Sequence, residues 1–314
     1  MRTGTQFCGR AIARSLICTK RLVVDALPLE RPPRFFWPEP IPMRSKLSVL
    51  SVLALAILCA QVVFSQPFQL LNNWPQANGS VNALVVDEPN GIVYIGGDFT
   101  QVGGQSRTRL AALDLNSGAV LAWAPAANAI VRCMALADGN IFAGGDFTTV
   151  NGSTRQRLAS ISTAGVLNPW APTTNNTVWC MAVDGQRLLV GGAFLTVNGV
   201  ARNRIAAISR VTGALDVWNP DASSTVRSLW MHNGNVFVGG LFTTIGGATR
   251  NNLAEVDPQG LATAWAPSVT GAVLAIAETN GSLLIGGTIS FVNGLSRIGF
   301  ASLAFADGST GNLA

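Results

Sequence analysis

Gly96-Gly97-Asp98-Phe99-Thr100-Gln101-Val102-Gly103-Gly104 lies inside residues 81–128, and the chain repeats its pattern from there on. Around it stand an apolar run, then Arg107, Leu110 and a closing Trp123-Ala124-Pro125. The Gly pair returns at Gly144-Gly145, Gly191-Gly192, Gly239-Gly240 and Gly286-Gly287, so its first member advances by 48, 47, 48 and 47 residues. A fixed period of this size means stacked copies of one supersecondary unit. The copies fall at 81–128, 129–176, 177–224, 225–270 and 271–314.

Each copy opens with a strand-length apolar segment, 81–86 in the first. A turn of Gly, Asn and Asp follows, such as Asp138-Gly139-Asn140 or Asn233-Gly234, residues that tolerate positive φ and favour hairpins. The next run, Ile92-Val93-Tyr94-Ile95 and its equivalents, is apolar at every position, which suits a strand covered on both faces. A third strand is expected from the conserved-column Arg at 107–114, 155–162 and 202–209, and a fourth ends at the Trp. No copy offers an amphipathic helix, so each sheet can be buried only against its neighbours. Radial stacking of such sheets predicts an all-β protein, a β-propeller of about five four-stranded blades. A parallel β-helix is the alternative, with shorter coils and without these hairpin turns.

Outside the repeats the chain changes character. Residues 1–42 have no period and read as sequence upstream of the true start. Met43-Arg44-Ser45-Lys46 then precedes an unbroken apolar run at 47–64 and Ser65-Gln66, the pattern of a secretory signal peptide at 43–65. An uncleaved membrane anchor stays open, and would be the chain's sole route to a membrane. The expected mature region is 66–314, secreted, extracellular or at the cell surface. It holds 12 Arg, no Lys and 13 Asp plus Glu, a net charge near −1, so the +5 of the whole chain belongs to the leader and no footprint for nucleic acid remains. Phe68 to Trp74 resembles the end of a copy, and the fifth copy stops before its Trp is due. Either 68–74 completes that copy and closes a ring, or the array is longer.

The string Gly-Gly-Asp-Phe-Thr-x-Val-x-Gly-x-x-x-Arg-x-Arg-Leu-Ala, at 96–111 and again at 144–159, resembles the delta-60 repeat of bacterial secreted proteins. Later copies keep most of it, with Phe194, Arg202 and Arg204, then Phe242 and Arg250. The resemblance implies an exported, propeller-like module with no settled activity. Asn252 and Gly299 depart from it at the second Arg, and Ile289 at the Phe.

Column by column, most residues read as structure. The Gly pairs end a strand with no helix behind them, so close packing is expected rather than a phosphate cradle. Asp98 and Asp146 share their column with Ala193, Leu241 and Thr288, which argues against a repeated metal site, and no metal or cofactor is expected. Arg107, Arg155, Arg202, Arg250 and Arg297 are expected to tie loop carbonyls, and Trp123, Trp170, Trp218 and Trp265 to pack between copies rather than to stack on sugars. Cys133 and Cys180 fill a small-residue column as two buried thiols, with a disulfide as the alternative. One column is irregular: Asn82, Arg132, Trp179, Arg227 and Leu274. If the first strand is innermost, Asn82, Arg132, Trp179 and Arg227 line a channel mouth and are the candidate ligand-binding residues, for a protein or glycan partner.

Catalysis finds few residues. The mature region has one His, His232, one Tyr, Tyr94, and no Gly-x-Ser-x-Gly elbow. A glycosidase needs two carboxylates facing one bond, for which Asp184 and Glu278 are the candidates. The expected function is a non-catalytic binding or surface scaffold, and the alternative is a carbohydrate-active hydrolase with carboxylates in the central channel.

Overall fold

The computed structural model describes residues 7–8, 74–279 and 281–311. The expected signal peptide and all but the last residue of the 68–74 strand lie outside the described residues.

The first copy forms an antiparallel sheet of Val81–Asp87, Ile92–Gly97 and Leu110–Asp114, with the second strand in the middle. The same order recurs in Val131–Ala137, Asn140–Gly145 and Leu158–Ser162, then in Val178–Asp184, Arg187–Gly192 and Ile205–Ser209. It recurs again in Val226–His232, Asn235–Gly240 and Leu253–Val256, and in Val273–Thr279, Ser282–Gly287 and Phe300–Ala304. Phe7–Cys8 pairs with the free edge of the first of these strands, Phe7 opposite Leu84 and Cys8 opposite Ala83.

Two strand expectations are corrected. The fourth strand is one bridge per copy, at Leu113↔Val120, Ile161↔Leu167, Ile208↔Leu215, Val256↔Ala262 and Leu303↔Thr310. The chain leaves the sheet there in the first four copies because the Trp that follows is seated on the next copy and the Pro after it has no N–H to give. The third strand starts at Leu110 rather than at Arg107, because Arg109 has φ 66° and its counterparts Arg157, Arg204, Asn252 and Gly299 have φ 69°, 65°, 66° and 83°. A left-handed residue cannot continue a strand. Ahead of it a small separate hairpin, Gln101–Val102 with Gln105–Ser106, turns at Gly103 and Gly104 and recurs in every copy.

Side chains alternate between the two sheet faces with period two. The face turned to the following copy is here the trailing face and the other the leading face. Ala83, Tyr94, Leu110 and Trp123 of the first copy share a core with Val131, Met134, Ile141 and Phe147 of the second. The same mixture joins the second copy to the third, the third to the fourth and the fourth to the fifth. The remaining core, around Val93, Ile95, Phe99 and Leu113, contains only the first copy and the short stretch before it, Trp74 and Ala77. Stacked sheets therefore bury one another, as the missing helices required.

The repeated columns do this packing. A Cβ on Gly96 would lie 2.7 Å from Val131 Cγ1, and one on Gly144 would lie 2.8 Å from both Cys133 Sγ and Met181 Cε. A Cβ on the second Gly of each pair would lie 1.9 to 2.3 Å from a backbone carbonyl oxygen just before the first strand, so no side chain fits there. Trp123, Trp170, Trp218 and Trp265 are at most 8% exposed. Their indole N–H groups donate to the carbonyls of Ser162, Ser209, Asp257 and Ala304 in the next copy, at 2.9 to 3.1 Å. Tyr94, Phe142 and Phe237 meet their copy's Trp edge-on at 5.0, 5.1 and 4.9 Å. A pair of this kind adds about 0.5–1.5 kcal/mol beyond the area it buries.

The Arg column ties carbonyls within its own copy. Arg107 donates to the oxygens of Ser106 and Leu121, Arg155 to those of Thr154 and Asn168, Arg202 to those of Ala201 and Asp216, and Arg250 to those of Thr249 and Thr263. The second Arg reaches forward into the linker, Arg109 to Ala127 O, Arg157 to Thr174 O and Arg204 to Ala222 O, and Asn252 makes the equivalent bond to Val269 O. Cys133 and Cys180 are buried and not joined in a disulfide.

Candidate functional site

The irregular column has a structural identity. In every copy the register between the first and second strands slips at one place, between 81 and 83, 131 and 133, 178 and 180, 226 and 228, and 273 and 275. The residue inside each slip is Asn82, Arg132, Trp179, Arg227 or Leu274. A β-bulge leaves one residue out of the ladder and re-aims its side chain. These side chains are thereby released from both packed faces, which explains why polarity is free to vary in this column. All five are half-buried.

Three of the four candidate residues are brought together. The guanidinium carbons of Arg132 and Arg227 lie 3.9 and 3.7 Å from the centroid of the Trp179 ring. Two planar groups that close to one centroid must occupy opposite faces of the indole, so Trp179 is clamped between two cations. Such contacts contribute about 0.5–2 kcal/mol each. Arg132 is held by Asp146, whose carboxylate accepts from Nε at 3.0 and 2.9 Å and from Nη2 at 2.5 Å. The Thr177 hydroxyl donates to the same carboxylate at 2.7 Å. Asn82 stands apart from the stack, its amide donating to Val131 O at 3.3 Å. Asp146 and Thr177 escaped the sequence reading, although Asp146 was visible as a column residue that only some copies keep.

The two carboxylates considered for hydrolysis stand near the far ends of their strands, away from the bulges. Asp184 is bound by Arg187, which also lies 3.7 Å from Asp216. Glu278 accepts from Trp230 Nε1 at 3.2 Å and meets His232 Nδ1 at 3.1 Å, with the imidazole stacked on Phe305 at 3.8 Å. No group of three or more His, Cys, Asp or Glu that could hold a metal occurs among the described residues.

A second concavity, about 430 Å³, opens beside Trp123 and is lined by Ile92, Tyr94, Leu121 and Asn151 among others. Where the first copy has Ile92, Ala112 and Leu121, the second has a bonded polar trio, Asn168 donating to Asn140 at 2.7 Å and to Ser160 at 2.9 Å. The fourth has Asn235 and Thr263 bound to Glu255. Below it the Tyr94 hydroxyl is buried with no hydrogen-bond partner. Burial, and then the Asp87 charge, push its pKa above 10.0.

Three stretches, 88–117, 136–169 and 233–261, match the family described as "Domain of unknown function (DUF5122) beta-propeller". The repeats are those of a β-propeller. The match supports a propeller repeat family without singling out the delta-60 repeat. A chain of the Mitotic Checkpoint Complex is similar at 14% identity over 79% of this chain and 73% of that one, with a TM-score of 0.50. The computationally designed Ika8 protein is similar at 12% identity over 74% and 73%, with a TM-score of 0.46. No curated protein matches the sequence. Identities this low speak of fold alone, so what this propeller does rests on its own side chains.

Proposed function

We propose that the chain is a secreted, non-catalytic β-propeller of about five blades that binds a protein or glycan partner at the bulged end of its inner strands. The observation that carries this is the bulge column. Every copy takes one residue out of its ladder at the same point, and in three copies the released residues, Arg132, Trp179 and Arg227, assemble into one fixed stack. Fixing the rotamers beforehand lowers the entropy that binding would otherwise cost. A guanidinium stacked on an aromatic face keeps its N–H groups in plane, a geometry suited to carboxylate, sulfate or peptide carbonyl oxygens, and for Arg132 the Asp146 carboxylate already occupies Nε and Nη2.

Support for a non-catalytic role comes from the carboxylates. A hydrolase needs two of them facing one bond, and Asp184 and Glu278 are each engaged by neighbours. The direct test is a glycan and peptide array probed with the full chain, beside a broad glycosidase screen. Binding that falls about tenfold or more in Trp179→Ala and Arg227→Ala is expected, the scale of losing a central aromatic or Arg anchor. Turnover of any glycoside that survives both substitutions and disappears in Glu278→Gln would replace this reading with a hydrolase.

A further inference from the structure

The concavity beside Trp123 lies in the seam between the first and second copies, and the columns show why it opens there. At the positions of Ile92, Ala112 and Leu121 the next three copies carry polar groups that bind one another: Asn140, Ser160 and Asn168 in the second, Arg187 and Asp216 in the third, and Asn235, Glu255 and Thr263 in the fourth. The first copy has three hydrocarbon side chains instead. A bridge is missing from the same seam. Asn198 and Asn293 donate from Nδ2 to the turn carbonyls of Gly213 and Gly308 in their own copies, at 3.0 and 2.9 Å. Asn151 holds that place in the second copy, whose turn is one residue shorter, 161 to 167 between bridge partners against 208 to 215 and 303 to 310. Among the described residues the Asn151 side chain bonds only through Oδ1, which accepts from Ala126 N at 2.8 Å.

The lining therefore keeps two hydrogen-bond donors without acceptors in the described chain. Asn151 Nδ2 is one, on the exposed side. The Tyr94 hydroxyl is the other, in a residue that is 0% exposed. Packing has no use for this hydroxyl, because Phe142 and Phe237 fill the same column and make the same edge-on contact with their Trp. A buried hydroxyl without a partner carries the cost of leaving water, and an acceptor that reaches it returns part of that cost. No Asp, Glu, Lys or Arg lines the concavity, and the charge acting on Tyr94 is the negative one of Asp87. An anion finds nothing here to neutralise it.

We infer that this concavity binds a small neutral molecule, a single ring bearing a carbonyl oxygen, with the ring against Ile92, Leu121 and Trp123 and the oxygen accepting from the Tyr94 hydroxyl. Its size of about 430 Å³ is at the small end of ligand sites. An apolar cavity of roughly 150 Å³ already holds benzene, so one ring with a short polar substituent fits. The site shares no residue with the stack of Arg132, Trp179 and Arg227, and it stands or falls separately from the binding proposed there.

Tyr94 is the chain's single tyrosine, so labelling the full chain with 3-fluorotyrosine puts one fluorine signal at the site. Acetophenone is expected to shift that signal and to saturate. Toluene, which has the ring without the oxygen, is expected to bind about tenfold more weakly, the scale of one neutral hydrogen bond. Benzoate, which adds a negative charge, is expected to bind more weakly than acetophenone as well. In Tyr94→Phe, followed from the ligand side by saturation-transfer NMR, the difference between acetophenone and toluene is expected to vanish with the fold intact. Ile92→Asn, Ala112→Ser and Leu121→Asn together write the second copy's trio into the first, and are expected to abolish binding while the unfolding midpoint is kept. A fluorine signal that acetophenone leaves unmoved up to its solubility limit overturns the inference. So does toluene binding as tightly as acetophenone in the wild type, or acetophenone binding that survives the triple substitution in a folded chain. If the triple variant unfolds, Tyr94→Phe decides alone, and a tenfold preference for acetophenone retained there overturns the inference.

Discussion

The second and fifth copies carry nearly the same columns and live in different environments. Leu158 and Phe300 share a position, as do Gly144 and Gly286, yet Leu158 is sealed at 0% exposure and Phe300 stands 58% in solvent. The difference lies entirely in the neighbour. The second copy has the third against its trailing face, while among the described residues nothing covers that of the fifth. A repeat column thus states what a residue is able to pack against, and the stack decides whether it does.

The sharpest way to break this contrast is to truncate the shared column at high dilution. Leu158→Ala should lose about 2–5 kcal/mol, the sum of lost transfer and a residual cavity, and Phe300→Ala should change stability by no more than about 0.5 kcal/mol, as surface substitutions do. Equal losses in urea titrations would mean that the fifth trailing face is covered after all. Overpacking gives the next effect. Gly144→Ala forces a Cβ to within 2.9 Å of three side-chain atoms, and about 1–3 kcal/mol is expected to be lost. Gly286→Ala has the room, so its unfolding midpoint should stay put or rise slightly.

A smaller difference is expected at the Arg column. Arg155 bonds two carbonyls, while Arg297 bonds Ser296 O alone among the described residues. Arg155→Met should therefore cost about 1 kcal/mol more than Arg297→Met, roughly one hydrogen bond. The last measurement sharpens the contrast from the other side, because it concerns a feature that needs no neighbour. Asp114 and Asp307 are both held below the usual 3.8, first by the backbone N–H of Ser117 or Ser309 and then by the same residue's hydroxyl. A depressed carboxyl pKa stabilises the fold above the unfolded value, near 3.9, and that contribution is lost as pH falls through the lower folded value. Asp114→Asn and Asp307→Asn should flatten the acid limb of the stability profile by a small and equal amount. Unequal effects would show that even these turns depend on what surrounds the copy.

Much of the fold was legible in the residues. The Gly pairs and the Arg recur in all five copies and the Trp in the first four, and each was read correctly as packing or as a carbonyl tie, because repeated sight of one constraint separates it from chance. The strand count was less legible. Arg109 reads as a strand residue but is left-handed, and the fourth strand shrinks to a bridge, since the seat of Trp123 on the next copy pulls the chain out of the ladder. The candidate site was visible only as irregularity. Asn82, Arg132, Trp179 and Arg227 stood out by varying, but the bulge beneath them is a slip in strand pairing that no residue type marks, and the clamp on Trp179 joins residues 47 or 48 positions apart.

The sequence by itself determined the repeat, its period, the alternation that makes each sheet apolar on both faces, and the small columns where neighbours touch. Those are local constraints, written once per copy in residue size and polarity. Only the tertiary structure decided which faces were covered, that Asp146 holds Arg132, and that Gly286 and Phe300 look into open space. Burial is a relation between two surfaces, and a column of residues specifies one of them.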